Sequence, residues 1–363
     1  MQNLITCIQC LLPESAPGIS FDDSGVCNYC RTYKKTELNG EEALLRILDR
    51  QRRRGGKYQC LVPLSGGRDS TFALLKMVRD YGLTALAVNY QNPFTAPEAA
   101  ANIRQATDKL GVELVSFGLK PGLHQLTLKK NLEAWLKRPS AALVPIICSA
   151  CHNMWLPIMR IAKKHDIHCI VTGRNPYEEV SFKRRLLGVS PDEDIRNVYL
   201  KNIGGIVKEA AKNLSYFSPQ TLPVMIKGHF FGSPYAMGSR IYGRGIEMAD
   251  LFFYLPWNEN EVMSRIQSEL GWQSPKEQGN TWRFDCRVSH LRDLMYQKTI
   301  GMTERQELYA RLIREGLASK ETIQDRLVTE NAIHYDKIEG LLNEVGIKGR
   351  SFLKPTAPSI PLP

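Results

Sequence analysis

Short apolar runs alternate with longer amphipathic segments through the first half of the chain, and this alternation predicts a sheet covered by helices. Apolar runs typical of buried strands lie at residues 58–64, 83–90, 112–117 and 167–172. Segments with the helical spacing of apolar residues lie at 71–81, 96–110, 122–137 and 149–165. Strands that alternate with helices favour a parallel sheet covered on both faces. We therefore predict an α/β doubly wound domain.

The chain changes character on either side of this core. The pattern predicts a short basic helix at 41–54, one further strand at 251–255, and helices at 258–270, 287–299, 304–315 and 330–345. The glycine-rich stretch 202–243 gives no clear pattern. We predict a cysteine ribbon at 1–35, a helical linker at 36–57, the α/β core at 58–182, a mostly helical region at 183–350 that closes the substrate site, and a proline-rich tail at 351–363.

Composition narrows the class of protein without choosing a substrate. The 363 residues are 43% hydrophobic and 23% charged, which excludes disordered, collagen-like and fibrous chains. No apolar run approaches the roughly 18 residues of a membrane helix, and the first residues do not form a signal segment, so we expect a cytoplasmic protein with no membrane partner. The net charge of +11 suits a polyanionic partner, such as a nucleotide or RNA, and equally suits a generally basic surface.

Two pairs of cysteines near the N-terminus predict a zinc site. Cys7 and Cys10 form one C-x2-C pair, and Cys27 and Cys30 form another. Four thiolates at this spacing can surround Zn²⁺ tetrahedrally, and so short a ribbon would draw its folding energy largely from the metal. Because four protein ligands leave no open position, we expect a structural site.

The segment Ser65-Gly66-Gly67-Arg68-Asp69-Ser70 joins a predicted strand to a predicted helix. Two glycines allow backbone N–H groups to approach an anion, two serine hydroxyls add donors, and the helix presents its positive end. Neither G-x4-G-K-[ST] nor G-x-G-x-x-G is present, so the site is neither a Walker P-loop nor a Rossmann dinucleotide site. The segment predicts a binding site for a di- or triphosphate, and a tight turn capped by serine is the alternative.

At these residues the chain resembles the PP-loop, or N-type, ATP pyrophosphatases, which have a HUP-like fold and the signature S-G-G-x-D-S. The resemblance implies that ATP is split between its α- and β-phosphates and that AMP passes to a substrate oxygen. Ser65, Gly66, Gly67 and Ser70 would then hold the pyrophosphate portion, Asp69 would act through Mg²⁺, and Arg68 would offer charge. Asn89 ends the second strand and Gly173 ends the fourth, so both would face the same nucleotide.

The cysteine ribbon and the PP-loop together are similar to the N-acetyl sugar amidotransferases of lipopolysaccharide O-antigen and nonulosonic-acid biosynthesis. The similarity continues through the segment from Leu255 to Glu261 and covers most of the chain, most weakly between Lys183 and Tyr242. It implies that the amide oxygen of a nucleotide-linked or free N-acetyl sugar is adenylated and replaced by nitrogen. Ammonia would come from a separate glutaminase subunit, since the sequence has no evident glutaminase domain.

A second set of cysteines supports a different reaction after AMP transfer, namely the insertion of sulfur. Cys148 and Cys151 begin the helix before the fourth strand, which places them at the carboxyl edge of the sheet. With Cys286 as a third ligand they could hold a [4Fe-4S] cluster with one open iron, as in the PP-loop sulfurtransferases that thiolate tRNA. The pair could also act as catalytic thiols or be buried small residues. The alternatives to amide formation are therefore sulfur insertion into RNA or a small molecule, and an RNA-binding module.

Overall fold

The computed structural model describes residues 5–178, 181–189, 195–275 and 281–347, and within them five strands form one parallel sheet. The strands are β1 (Cys60–Pro63), β2 (Ala85–Gln91), β3 (Glu113–Gly118), β4 (Cys169–Thr172) and β5 (Glu247–Asp250). Their order in the sheet is β3-β2-β1-β4-β5, and every adjacent pair is parallel. The predicted α/β doubly wound fold is confirmed. The order reverses between β1 and β4, where ligands bind in sheets of this kind.

The helices that cross between the strands lie close to the predicted positions. The first part of the chain contains α1 (Asn28–Arg31), α2 (Glu41–Arg54), α3 (Arg68–Leu75), α4 (Pro97–Leu110), α5 (Leu123–Lys137) and α6 (Trp155–Lys164). α3 continues as a π-helical turn over Lys76–Asp80, and two 3₁₀ segments, Ala141–Ile146 and Ser149–Asn153, precede α6. The predicted helix at 149–165 is therefore a 3₁₀ turn followed by an α-helix.

Alternating residues of the central strands feed two hydrophobic layers, as the two-residue period of a strand requires. Cys60 and Val62 point into the layer formed with α2, α3 and α4. Leu61 points to the opposite face, where the buried apolar side of α6 packs against it. Because both faces of the sheet are covered, the polar loops are confined to its edges, and the loops after β1, β2 and β4 meet at the carboxyl edge.

Helices dominate the second half of the described chain. They are α7 (Ser181–Leu186), α8 (Ile195–Ala210), α9 (Leu222–Phe231), α10 (Met237–Tyr242), α11 (Glu259–Leu270), α12 (Val288–Ile300), α13 (Glu304–Glu315), α14 (Lys320–Glu330) and α15 (Tyr335–Glu344). α13 begins with a capping box formed by Thr303 and Gln306. The N-terminal cysteine ribbon docks on the end of α13, where the Tyr33 hydroxyl donates to Glu315 at 2.5 Å.

Two sequence predictions in this half differ from the structure. The predicted strand at 251–255 is wrong: β5 ends at Asp250, and Leu251–Phe253 form a 3₁₀ turn that buries two of its apolar side chains. The region 183–350 was predicted to be mostly helical, but the individual helices α7 to α10 and α14 were not assigned. The domain boundaries stay a prediction, and the predicted proline-rich tail at 351–363 lies outside the described residues, as do residues 348–350. Among the described residues, no helix is both long and apolar enough to cross a bilayer.

Candidate functional site

A cleft of about 340 Å³ opens at the carboxyl edge of the sheet, where the strand order reverses. The turn after β1, the ends of β2 and β4, and the segment from Thr281 to Cys286 form its walls. All of the residues predicted to bind a nucleotide except Gly66 line it, namely Ser65, Gly67, Arg68, Asp69, Ser70, Asn89 and Gly173. The fold therefore brings together residues from three separate loops, as expected for a ligand site beyond the carboxyl ends of parallel strands.

The turn is held by two glycines that leave no room for a side chain. Gly66 has a φ of +79°, and a Cβ there would lie 2.1 Å from the carbonyl oxygen of Ala99. A Cβ on Gly173 would lie 2.3 Å from the carbonyl oxygen of Asp69. The two glycines thus let the turn pack directly against α4 and against the end of β4. Gly66 acts here by packing and conformation, while its predicted contact with a nucleotide stays a prediction.

The two serine hydroxyl groups of the turn lie close together at its open side. Ser65 Oγ and Ser70 Oγ are 3.1 Å apart, and the backbone N–H of Gly67 donates to Ser65 Oγ at 3.2 Å. The Ser70 hydroxyl also donates to the carbonyl oxygen of Gly67. The positive end of α3 begins at this point, with Gly67 as its N-cap. Hydroxyl groups, backbone N–H groups and a helix N-terminus converging on one cleft form a suitable cradle for phosphate oxygens.

Arg68 is buried in the wall of the cleft, with only 4% of its surface exposed, and it holds several carboxylates together. Its guanidinium group contacts the carboxylates of Asp69 at 2.9 Å, Glu259 at 2.7 Å and Glu178 at 3.2 Å. The Trp257 indole lies beneath it and donates to Asp69 Oδ1 at 3.1 Å. Arg68 therefore balances buried carboxylates and orients Asp69, while the charge that the resemblance implies it would offer to a nucleotide stays a prediction.

Carboxylates that the sequence analysis did not select also line the cleft. Asp285 lies beside Ser65 and Gly67, and burial raises the pKa of its carboxyl group. Burial and the nearby charge of Asp69 raise the pKa of Glu178 to about 7. Magnesium is usually held by one or two carboxylates together with substrate phosphates. Asp69, Glu178 and Asp285 line the same cleft, and one or two of them would suffice to hold a Mg²⁺ ion that enters with a nucleotide.

The opposite side of the cleft suits the nucleoside. Asn89 at the end of β2 donates from Nδ2 to the carbonyl oxygen of Leu64 at 2.9 Å, which fixes its side chain beside the turn. Trp155 and Ile158 of α6 add apolar surface to the same wall. A polar cradle on one side and apolar side chains on the other are typical of a site for a phosphorylated, ring-containing ligand.

The four N-terminal cysteines meet in a single cluster, with all four sulfur atoms within 4.8 Å of one another. Cys7 Sγ and Cys30 Sγ are 3.8 Å apart, and Cys10 Sγ and Cys27 Sγ are 3.7 Å apart. Sulfur ligands at about 2.3 Å from a tetrahedral Zn²⁺ lie about 3.8 Å from each other. The geometry and the donor set therefore fit the predicted structural zinc, which would lie against α13 and outside the lining of the cleft.

The second cysteine set also comes together, beside the cleft. Cys148 Sγ and Cys151 Sγ are 2.9 Å apart, and the Asn92 amide lies 3.7 Å from Cys151 Sγ and 3.8 Å from Cys286 Sγ. A hydrogen bond from Cys151 lowers the pKa of Cys148 to about 6, against the effect of burial, and raises the pKa of Cys151. The three thiols are suitable donors for iron or zinc. Cys286 alone of the three lines the cleft itself.

His124 joins the second cysteine set, although the sequence analysis did not select it. Its Nδ1 lies 3.8 Å from Cys151 Sγ, and its Nε2 is 2.7 Å from the Tyr90 hydroxyl. His124 lies in the first turn of α5, directly after the loop that follows β3. A histidine that follows a parallel strand in this way is expected at the carboxyl edge of the sheet, and this was the signal in the sequence that pointed to it. His152, in contrast, packs beside Gly228 of α9, and burial lowers its pKa to about 4.

Three basic side chains near the cleft form ion pairs with one buried carboxylate. Glu304 has 3% of its side chain exposed and pairs with Lys183, with Arg283 at 2.7 Å and with Arg292 at 2.7 Å. Arg283 also lines the cleft and has a φ of +50°, which is unusual for a side-chain-bearing residue. Glu304 therefore fixes the wall of the cleft that carries Asp285 and Cys286.

No model of a known protein family matches the chain. An uncharacterized protein of Methanocaldococcus jannaschii, MJ1599, is 32% identical over 159 residues, which are 43% of this chain and 53% of that protein. The chain thus spans about half the length of this curated relative.

Two solved structures show a distant likeness. The U34-tRNA thiolase NcsA from Methanococcus maripaludis, solved with its [4Fe-4S] cluster, aligns with 85% of this chain and 82% of its own, at 13% identity and a TM-score of 0.33. NMN synthetase from Francisella tularensis aligns with 65% of this chain and 96% of its own, at 12% identity and a TM-score of 0.28. Scores this low say nothing about what the present chain binds or does.

Proposed function

We propose that this protein is a PP-loop ATP pyrophosphatase that transfers AMP from ATP to an oxygen atom of its acceptor and releases pyrophosphate. One observation carries the proposal: the turn from Ser65 to Ser70 opens into a cleft at the point where the strand order reverses. Its hydroxyl groups, backbone N–H groups and helix N-terminus suit the β- and γ-phosphates of ATP. The apolar wall formed with α6 suits the adenosine.

The side chains of the cleft would act by positioning and by electrostatic stabilisation. Ser65, Gly67 and Ser70 bind the leaving pyrophosphate, while Asp69 and Asp285 face the phosphates from two sides. Arg68 and Trp257 hold the Asp69 carboxylate in place. Mg²⁺, when bound by these carboxylates and the phosphates, supplies positive charge that makes pyrophosphate a better leaving group.

For the second step we propose that ammonia displaces AMP from an adenylated N-acetyl sugar, giving an acetamidino sugar. The support is the sequence resemblance of the ribbon, the PP-loop and the segment from Leu255 to Glu261. Adenylation has a clear purpose here, because an amide oxygen is a poor leaving group until it is phosphorylated. A nucleotide-linked or free N-acetyl sugar is the acceptor, and a separate glutaminase subunit is the source of ammonia.

Sulfur insertion is the second candidate, and one observation favours it. Three thiols, those of Cys148, Cys151 and Cys286, lie beside the cleft in which AMP would be transferred. Ammonia addition has no need of them, whereas a sulfurtransferase that acts on RNA or a small molecule uses thiolates or a [4Fe-4S] cluster to deliver sulfur. These residues could hold such a cluster, which would supply sulfur chemistry at the edge of the cleft.

Product analysis tests the first step. Purified protein is incubated with ATP, Mg²⁺, ammonium and nucleotide-linked N-acetyl sugars, and ³¹P NMR follows the phosphates. We expect AMP and pyrophosphate in equal amounts, and we expect Ser65→Ala combined with Ser70→Ala to lose most of this activity. Ser116→Ala, an exposed serine of β3, is the matched control and should behave as the wild type. Formation of ADP and phosphate would overturn the proposal.

Isotope incorporation separates the two second steps. With ¹⁵N-ammonium, mass spectrometry should find one nitrogen in the sugar product and the loss of one oxygen. Replacing all three thiols by serine should leave that incorporation within a few-fold of the wild-type value. If the triple variant loses all turnover, and labelled sulfide enters a product where ammonium does not, sulfur insertion is the correct second step.

A further inference from the structure

Three ligand atoms beside the cleft form a second candidate metal site that is distinct from the ribbon. They are His124 Nδ1, Cys148 Sγ and Cys151 Sγ, and all three lie within 4.8 Å of one another. His124 is 4% exposed and Cys148 is 9% exposed, so the group is largely sheltered from bulk water. The three residues come from two elements, α5 and the 3₁₀ turn before α6, which pack against each other.

We propose that His124, Cys148 and Cys151 bind a single Zn²⁺ ion and leave its fourth position open toward the nucleotide cleft. Two thiolates and one imidazole are a ligand set that zinc enzymes use when the fourth position must stay open. The 3.8 Å between His124 Nδ1 and Cys151 Sγ matches the separation of two ligands around one tetrahedral ion. The site needs no cluster, and it stands whether or not the proposed transfer reaction is correct.

The surroundings of His124 are those of a metal ligand. Its Nε2 is 2.7 Å from the Tyr90 hydroxyl, which fixes the ring and leaves Nδ1 facing the two sulfur atoms. Metal-binding histidines almost always engage their other ring nitrogen in this way. Phe94 packs edge-on against the imidazole, at 6.2 Å between ring centroids, and further restricts its orientation. The ring is thus held in one orientation by contacts on two sides.

The open position is defined by the groups on the cleft side. The Asn92 side-chain amide approaches both Cys151 Sγ and Cys286 Sγ, as expected for a donor beside anionic sulfur. Tyr90, Asn92 and Cys286 all line the cleft. A small ligand on the zinc would therefore face the nucleotide site, with Cys286 beside it.

The spacing favours one ion over a [4Fe-4S] cluster. A cluster places its three thiolates on three different irons, so their sulfur atoms stand further apart than ligands of one ion. Here Cys148 Sγ and Cys151 Sγ are 2.9 Å apart, which is shorter than the roughly 3.8 Å of two sulfur ligands on one ion but much nearer to it than to the wider spacing of a cluster, and the imidazole occupies the third corner of the group. Among the described residues, Cys286 is not part of this three-residue set.

Metal analysis of the full-length protein tests the proposal. Protein prepared under reducing conditions with excess zinc, then desalted, should contain two zinc ions per chain, one in the ribbon and one at His124. His124→Gln and the pair Cys148→Ser with Cys151→Ser should each contain one. His168→Gln, a half-buried histidine bonded to Asp166, is the matched control and should retain two. Circular dichroism shows whether each variant is folded.

Zinc affinity and X-ray absorption test the proposal without relying only on variants that lose a zinc ligand. Tyr90→Phe should retain the fold and weaken zinc binding at one of the two sites by about 10–100-fold in a chelator competition. X-ray absorption of the zinc protein should show a nitrogen ligand that His124→Gln removes. One zinc per wild-type chain would overturn the proposal. So would iron and acid-labile sulfide in equal amounts that His124→Gln leaves unchanged, which would instead establish a three-cysteine cluster.

Discussion

Replacing Gly173 by alanine should separate two loops of the cleft and impair nucleotide binding. The added Cβ would lie 2.3 Å from the carbonyl oxygen of Asp69, 2.4 Å from its carbonyl carbon and 2.6 Å from the backbone nitrogen of Ser70. All three are backbone atoms, so no side chain can rotate out of the way. Ordinary contacts begin near 3.4 Å, and the end of β4 and the turn must therefore move apart by about 1 Å.

A shift of this size has a defined consequence for the proposed chemistry. Misplacing a catalytic group by about 1 Å can cost about 100-fold in rate, or about 2.7 kcal/mol of transition-state stabilisation. Overpacking of this kind also lowers the free energy of unfolding by about 1–3 kcal/mol. We therefore expect Gly173→Ala to remain folded, to melt at a lower temperature and to lose about 100-fold in kcat/KM for ATP.

The matched control is Gly118→Ala at the end of β3. A Cβ at that position would meet its nearest neighbours at 3.8 Å, an ordinary contact, so no displacement is needed. Calorimetric titration with ATP and Mg²⁺ measures binding, product analysis measures turnover, and thermal unfolding measures stability. If Gly173→Ala binds ATP and turns over within a factor of three of Gly118→Ala, the inferred contact between β4 and the phosphate turn does not govern the site.

Three further predictions concern the charges and the ribbon. Basic neighbours, against the effect of burial, hold the pKa of Glu304 well below its usual range, so Glu304→Gln should lower the free energy of unfolding by about 3–5 kcal/mol at pH 7. When the free energy of unfolding is measured by chemical denaturation, this loss should shrink as the pH falls below about 4.3, the pKa of glutamate in the unfolded chain. A loss that stays constant with pH would contradict the ion-pair explanation. Burial already raises the pKa of Glu178 to about 7 in the wild type, and Arg68→Met removes the cation that opposes this rise, so the melting temperature should fall more between pH 5.5 and pH 8 in the variant than in the wild type. Removing zinc with a chelator, or by Cys27→Ser, should expose residues 5–35 to limited proteolysis while the sheet stays intact, and an uncut ribbon would refute a metal-dependent fold.

The sheet and the turn from Ser65 to Ser70 could be predicted because their signals are local. An apolar run, two glycines and the first turn of a helix follow one another directly in the sequence, and each feature depends only on its neighbours. The same is true of the paired spacing of the ribbon cysteines. The strand order and the fact that Gly173 packs on Asp69 depend on how distant elements assemble, so the sequence alone could only suggest that both face one edge.

The failures have equally specific causes. β5 is a short edge strand whose ends, Glu247 and Asp250, are polar, while the apolar residues after it pack from a 3₁₀ turn, so the run at 251–255 pointed to the wrong residues. α9 is apolar around most of its circumference and shows no helical stripe. Asp285 and His124 reach their sites from far along the chain, and no spacing rule connects either residue to its partners.

The central claim is that the turn from Ser65 to Ser70 holds the pyrophosphate portion of ATP. A crystal structure of the protein with Mg²⁺ and a non-hydrolysable α,β-methylene analogue of ATP tests it most directly. The account predicts that the β- and γ-phosphates accept hydrogen bonds from Ser65, Gly67 and Ser70, with the adenosine against α6 and the α-phosphorus facing the wall that carries Cys286. An analogue bound with its phosphates outside this turn would contradict it.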